Sequence, residues 1–300
     1  MEINMHNPSK IRVTFACLIG MVLPILTLSP SGYGQILIDH TCCDISKVPT
    51  LWIQEAKTRF RVWYGHTSHG SQITSGMEVM NSDPFNFSWD GDGGSLSYQE
   101  TDGDLGHNGD LAWEVATRDQ LDNEGNDRNL VMWSWCGGVS DNTESGINIY
   151  LNAMNQLEGD YPGVRFIYMT GHLDGSGVEG DLNRYNNQIR SYCLAHQKVL
   201  FDFADIESYD PDGNAFLALY ANDNCDYISA TGGGNWAIEW CAAHPGQCSS
   251  CDCAHSQSLN CDRKGRAFWW MLARMAGWSG NNQVPTPTPP PSGIGAWRVY

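Results

Sequence analysis

A chain of 300 residues with 41% hydrophobic side chains can bury a substantial core, which excludes disorder of the whole. Its formal charge is −17, and only 17 Lys and Arg are spread along it, which excludes a nucleic-acid surface because phosphate binding needs clustered cations. A neutral substrate fits this balance better, and several of the 12 tryptophans stand in loop-like contexts where an indole can stack on a sugar ring.

In chain order, Lys10 and Arg12 precede an apolar run from Val13 to Leu28 and then the small residues and turn formers of "SPSGYGQ". This pattern predicts a secretory signal over 1–34, cleaved near Gly34. With Pro24 inside it, the run falls short of the about 20 residues a spanning helix needs, so no membrane attachment is expected after cleavage. The expected location is extracellular or periplasmic. Removing the leader takes Cys17 with it and leaves ten of the eleven cysteines, for which export makes disulfides the default.

The remaining chain predicts a single domain over 35–279. Phe60 to Tyr64 reads as a strand that breaks into the polar loop "GHTSHG", and residues 82–110 read as a Gly-, Asp- and Ser-rich excursion. A helix follows over 110–122, then a buried strand at 129–135, "NLVMWSW". The next helix has Ile147, Leu151, Met154 and Leu157 at helical spacing. "GVRFIYMT" is a further strand, "DLNRYNNQIRSYCLAHQ" a helix and "KVLFDFA" the last strand. This alternation predicts an α/β fold, a three-layer α/β/α sandwich around a mostly parallel, flavodoxin-like, five-stranded sheet. Residues 205–261 are irregular and rich in cysteine, with a disulfide-rich region at 225–261, before an amphipathic helix closes the domain. The proline-rich stretch 280–300 reads as an extended linker or tail.

Open parallel sheets gather their chemistry at the carboxyl ends of strands. Those loops hold His66, Ser68 and His69, then His107, then the "CGGVSDN" segment, then His172, and finally "DCAHS". Asp252 stands three residues before His255, the arrangement in which a carboxylate orients an imidazole that takes a proton from a hydroxyl. Two metal readings stand beside this. "CSSCDCAH" offers Cys248, Cys251, Cys253 and His255 at zinc-ligand spacing, against which bridges are favoured. "YDPDGN" offers Asp210, Asp212 and Asn214 as a calcium loop, against which a plain turn is favoured.

Over residues 58–278, these blocks resemble the SGNH or GDSL family of serine hydrolases. The resemblance rests on a serine after the first strand, a glycine in "LGHNGD", a GxND-like "GGVSD", and a DxxH block close to the final helix. It implies Ser68 as nucleophile, His255 as general base and Asp252 as its orienter. The oxyanion would be held by the Ser68 amide, by Gly109, and by Ser140 or Asn142 where the family carries asparagine. His66, His69, His107 and His172 are expected as substrate contacts or supporting hydrogen-bond partners. The expected activity is an exported esterase that removes acetyl-type groups from an acylated polysaccharide or glycan, with no cofactor. A metal-dependent hydrolase using the histidine-rich loops, and a non-catalytic glycan-binding domain on the same fold, are the rival expectations.

Overall fold

The structure is a computed structural model and describes residues 35–280. The expected signal at 1–34, and the expected linker beyond Gly280, lie outside the described residues.

Seven strands form the central sheet: β1 (Ile36–Ile38), β2 (Arg61–His66), β3 (Phe87–Ser88), β4 (Leu96–Asp102), β5 (Leu130–Trp133), β6 (Arg165–Met169) and β7 (Val199–Phe201). Their order is β1-β7-β6-β5-β2-β4-β3, and every neighbouring pair is parallel. Helices flank this sheet, as the alternation of elements predicts, but there are seven strands and not five. β4 falls inside the stretch read as an excursion. Its residues carry no apolar run, yet Leu96, Ser97 and Tyr98 are buried. The polar ones are paired: Ser97 accepts from Arg128, and Thr74 hydrogen-bonds both Tyr98 and Glu100.

The order places β2 at the point where the chain changes direction. From β2 it runs through α2 (Ser71–Val79) to β3 and β4 on one side, whereas from β5 it runs through α4 (Glu144–Asp160) to β6 on the other. Loops leaving β2 and β5 therefore part from each other and open a crevice at the carboxyl ends of these two strands.

One helical group contains α1 (Thr50–Arg59), α2 and the long α8 (Ser258–Ala276), which packs on both of them. A second contains α3 (Ala112–Leu121), α4 and α5 (Asp181–Ala195). α2 and α8 cross closely enough that side chains are impossible at the crossing. A Cβ on Gly76 would lie 1.8 Å from the Cys261 carbonyl oxygen, and one on Gly265 2.2 Å from the Gly76 carbonyl carbon. Short α6 (Phe203–Glu207) and α7 (Trp236–Ala243) and an antiparallel hairpin, β8 (Asp226–Ser229) with β9 (Gly232–Asn235), occupy the segment read as irregular.

Two disulfides join Cys241 to Cys248 and Cys253 to Cys261. Cys42, Cys43, Cys136, Cys193, Cys225 and Cys251 carry free thiols, so pairing of all the mature cysteines does not hold. The zinc reading of Cys248, Cys251, Cys253 and His255 fails for the same reason, since two of its sulfurs are spent in bridges to other residues. The "YDPDGN" segment is a turn: Asp210 Oδ1 accepts the N–H groups of Asp212 and Asn214, and Oδ2 accepts from Asn214 Nδ2. No helix of the described residues is long and apolar enough to cross a membrane.

Candidate active site

β2 delivers Thr67, Ser68 and His69 to the crevice, and α2 begins directly behind them at Ser71. The tight passage depends on Gly70, where a Cβ would sit 2.1 Å from the Ser134 hydroxyl. From the neighbouring β5, the chain continues through Ser134 and Trp135 to Cys136, and the two loops meet at that sulfur. Cys136 Sγ lies 3.2 Å from Ser68 Oγ and 3.1 Å from His69 Nδ1. His69 Nε2 in turn lies 2.9 Å from Asp223 Oδ2.

Thiol, imidazole and carboxylate thus form one continuous hydrogen-bonded chain. Asp223 only accepts, so Nε2 of His69 carries a proton and Nδ1 faces the sulfur as its proton partner. Burial works against charge on His69, but hydrogen bonds to Asp223 and Cys136 outweigh it and raise the imidazole's pKa. Burial likewise opposes a Cys136 thiolate. The Ser68 hydroxyl and the His69 ring hydrogen-bond the sulfur, and with the nearby His69 backbone N–H and Thr67 hydroxyl they bring its pKa down to about 7. Burial would push Asp223 up, yet its hydrogen bond to His69 and the nearby imidazoles hold it below the ordinary carboxylate value.

Three imidazoles stack here, with His69 in the middle. His172 lies 3.7 Å away on one side and His255 4.3 Å away on the other, ring centroid to ring centroid. His172 Nδ1 is 2.9 Å from the Leu173 carbonyl oxygen, which requires its proton on that nitrogen, and Nε2 then accepts the Gly137 N–H at 3.2 Å. Burial, with the neighbouring His69, lowers the pKa of His172 and keeps it neutral. His172 therefore acts as a positioning residue that fixes the backbone immediately after Cys136.

A buried network holds these loops in place. Lys264 and Glu207, both fully buried, pair at 2.5 Å. Glu207 accepts the Leu173 N–H beside His172. Lys264 also donates to Gln72 Oε1, and Gln72 Nε2 donates to the Ala254 carbonyl next to His255. Gln257 reaches Asn224, the neighbour of Asp223. The segments carrying His69, His172, Asp223 and His255 are thereby cross-linked by hydrogen bonds, those of Lys264 and Glu207 being charge-assisted.

The residues expected from the sequence fall into three groups. Ser68, His69, His172 and His255 converge on this crevice, His255 doing so from a left-handed backbone conformation with φ of 60°. Asp252 is exposed, and among the described residues no hydrogen bond joins it to His255. His66 and His107 lie on the rim: His66 Nε2 meets Glu100 at 2.6 Å, while His107 Nδ1 meets Asp141 at 2.7 Å. Gly109 and Asn142 both lie against Gly146 of α4, and buried Asn142 Oδ1 accepts the Thr143 N–H. Among the described residues, no hydrogen bond links Gly109, Ser140 or Asn142 to Ser68.

The sequence reading missed Cys136 and Asp223. A cysteine at the carboxyl end of a buried strand, followed by two glycines and facing a histidine-rich loop, is a legible signal for the first. Asp223, in "YANDNCD", carries no signal of its own. His69, Asp223 and His255 also place one possible ligand atom each within 4.8 Å of one another, a spacing able to hold a metal ion.

The sequence matches no family model and no curated protein. Among solved structures, it is similar to a protein described as an acylhydrolase from Bacteroides fragilis, at 8% identity over 54% of this chain and 75% of that one, with a TM-score of 0.33. It is also similar to an acetyl xylan esterase, at 16% identity over 53% of this chain and 87% of that one, with a TM-score of 0.35. Superposition this loose leaves the activity to be read from the chain's own residues.

Proposed function

We propose that this chain is an exported acyl hydrolase that works through a Cys136–His69–Asp223 triad on an acylated carbohydrate. The observation that carries the reading is the unbroken contact series from Cys136 Sγ to His69 Nδ1 at 3.1 Å and from His69 Nε2 to Asp223 Oδ2 at 2.9 Å. Ser68, the nucleophile that the resemblance implies, has the sulfur as its hydrogen-bond neighbour, and among the described residues no imidazole hydrogen-bonds its hydroxyl. It is assigned here as a donor to the sulfur and to the oxygen of the intermediate. His255 is assigned to the wall of the site rather than to the base.

In the reaction, His69 Nδ1 takes the Cys136 proton as the sulfur adds to the ester carbonyl. The tetrahedral oxyanion collapses, the ester C–O bond breaks, and His69 returns the proton to the leaving alcohol. Water then adds to the thioester, giving its proton to His69. The C–S bond breaks, the acid leaves, and the thiol is restored. Asp223 holds the imidazole's tautomer throughout. The carbohydrate substrate and export are supported by the net charge of −17 and the leader-like amino end.

Release of acetate from acetylated xylan, and of nitrophenol from its acetate ester, tests this reading. Cys136→Ala is expected to abolish both, and Asp223→Asn to slow both by about 10²- to 10⁴-fold, the range of general-base catalysis. Ser68→Ala should retain measurable turnover. Loss of turnover in Ser68→Ala with normal rates in Cys136→Ala would return the chemistry to the serine. Loss on chelation with insensitivity to thiol alkylation would move it to a metal at His69, Asp223 and His255. Glycan binding without acyl release in the wild type would leave a binding domain.

A further inference from the structure

β2 and β4 are paired in parallel, with Tyr64, Gly65 and His66 opposite Glu100, Thr101 and Asp102. A cavity of about 340 Å³ lies over the carboxyl ends of these two strands. Ser68 is part of its wall, and the Ser68 hydroxyl is 3.2 Å from Cys136 Sγ, so the cavity adjoins the sulfur. Glu100 and Asp102 also line it, two positions apart on β4 and therefore on one face of the strand. An acetyl group fills a small part of this space, whereas a sugar ring matches it.

The wall carries an unbalanced negative charge. No lysine or arginine lines the cavity. His66 pairs with Glu100 at 2.6 Å and at most cancels that carboxylate. Asp102 is exposed, and among the described residues it has neither a hydrogen bond nor an ion pair. Asp104 stands close by, its Oδ2 3.4 Å from Oγ1 of Thr67, another residue of the wall. Carboxylates are strong acceptors for the hydroxyls of a neutral sugar. A sugar carboxylate would meet like charge here and find no cation to pair with.

We propose that this cavity receives the alcohol side of the ester and selects it by charge, Glu100 and Asp102 acting as specificity residues that admit a neutral sugar and reject a uronate. The proposal rests on the Cys136 acyl-hydrolase reading and names the substrate class of that site.

The test compares kcat/KM of the full chain on methyl glucoside and methyl glucuronoside that carry one acetyl group at the same position. At about 10 mM salt the glucuronoside should be cleaved about tenfold less efficiently, and the gap should shrink as salt approaches about 1 M, where charges act over only about 3 Å. Asp102→Asn should narrow the low-salt gap by about threefold. Nitrophenyl acetate, whose leaving group carries no sugar, reads the acyl chemistry alone. If it is hydrolysed while the two sugar esters are cleaved equally, or neither is cleaved, the proposal falls and the acyl-hydrolase reading stands. A gap that ignores both salt and Asp102→Asn would be steric and would also overturn it. So would an equal or larger gap between nitrophenyl butyrate and nitrophenyl succinate, since the acyl group would then occupy the cavity. If nitrophenyl acetate is not hydrolysed, the reading and this proposal fall together.

Discussion

At the scale of single residues, the decisive group is the Cys136 sulfur. A cysteine in a chain expected to be exported is normally bridged or buried as a small apolar side chain. Cys193 fits the second description, with burial driving its pKa well above the ordinary thiol value. Cys136 departs from both, because polar groups of Thr67, Ser68 and His69 surround it and bring its pKa to about 7. Lowering an acid's pKa enlarges its ionised fraction at every pH near the midpoint, so the thiolate should form on rising through about pH 7, instead of the ~8.5 of an ordinary thiol. The iodoacetamide alkylation rate of Cys136, followed against pH by peptide mass, should therefore rise with a midpoint near 7 and then level off. His69→Asn removes the ring contact and should move that midpoint upward. An ordinary-thiol midpoint in the wild type, or one indifferent to His69, would contradict the assigned electrostatics.

At the scale of elements, the loops are rigid because α8 reaches under them. Lys264 and Glu207 are both fully buried, and each ties down a different site loop. Removing one member of such a pair strands the other charge in the core, so Lys264→Met should cost about 3–5 kcal/mol of unfolding free energy. The double variant Lys264→Met/Glu207→Leu, which leaves no orphaned charge, should recover much of that loss in urea denaturation. Equal stability of the two variants would mean the pair is not coupled as described. None of this was legible beforehand, because α8 was recognised only as an amphipathic closing helix and its buried lysine is invisible to a periodicity argument. The long helices α4, α5 and α8, and the strands β2, β5, β6 and β7, announce themselves through apolar runs and helical spacing. The strands β1, β3 and β4 do not: β1 and β3 are too short to show a pattern, and β4 buries polar residues that only its tertiary partners satisfy.

At the scale of the whole molecule, the sheet order matters more than any one loop. β2 and β5 are paired neighbours, and the adjacency of their carboxyl ends brings residues 68 and 69 against residue 136 before the outgoing connections diverge. The alternation of elements places a crevice at the strand ends, and the loops of Ser68, His69, His172 and His255 meet there. The resemblance pairs Ser68 with His255, whereas in the fold His69 hydrogen-bonds Cys136 and also Asp223, which stands 154 residues away in sequence. Such long-range pairings follow from topology and cannot be read from local spacing. The most direct measurement is acid-quenched trapping of the acyl-enzyme formed from a nitrophenyl ester, with the modified residue located by peptide mass spectrometry. The account predicts one acyl group on Cys136, absent in His69→Asn; an acyl group on Ser68, with Cys136 unmodified, would contradict it.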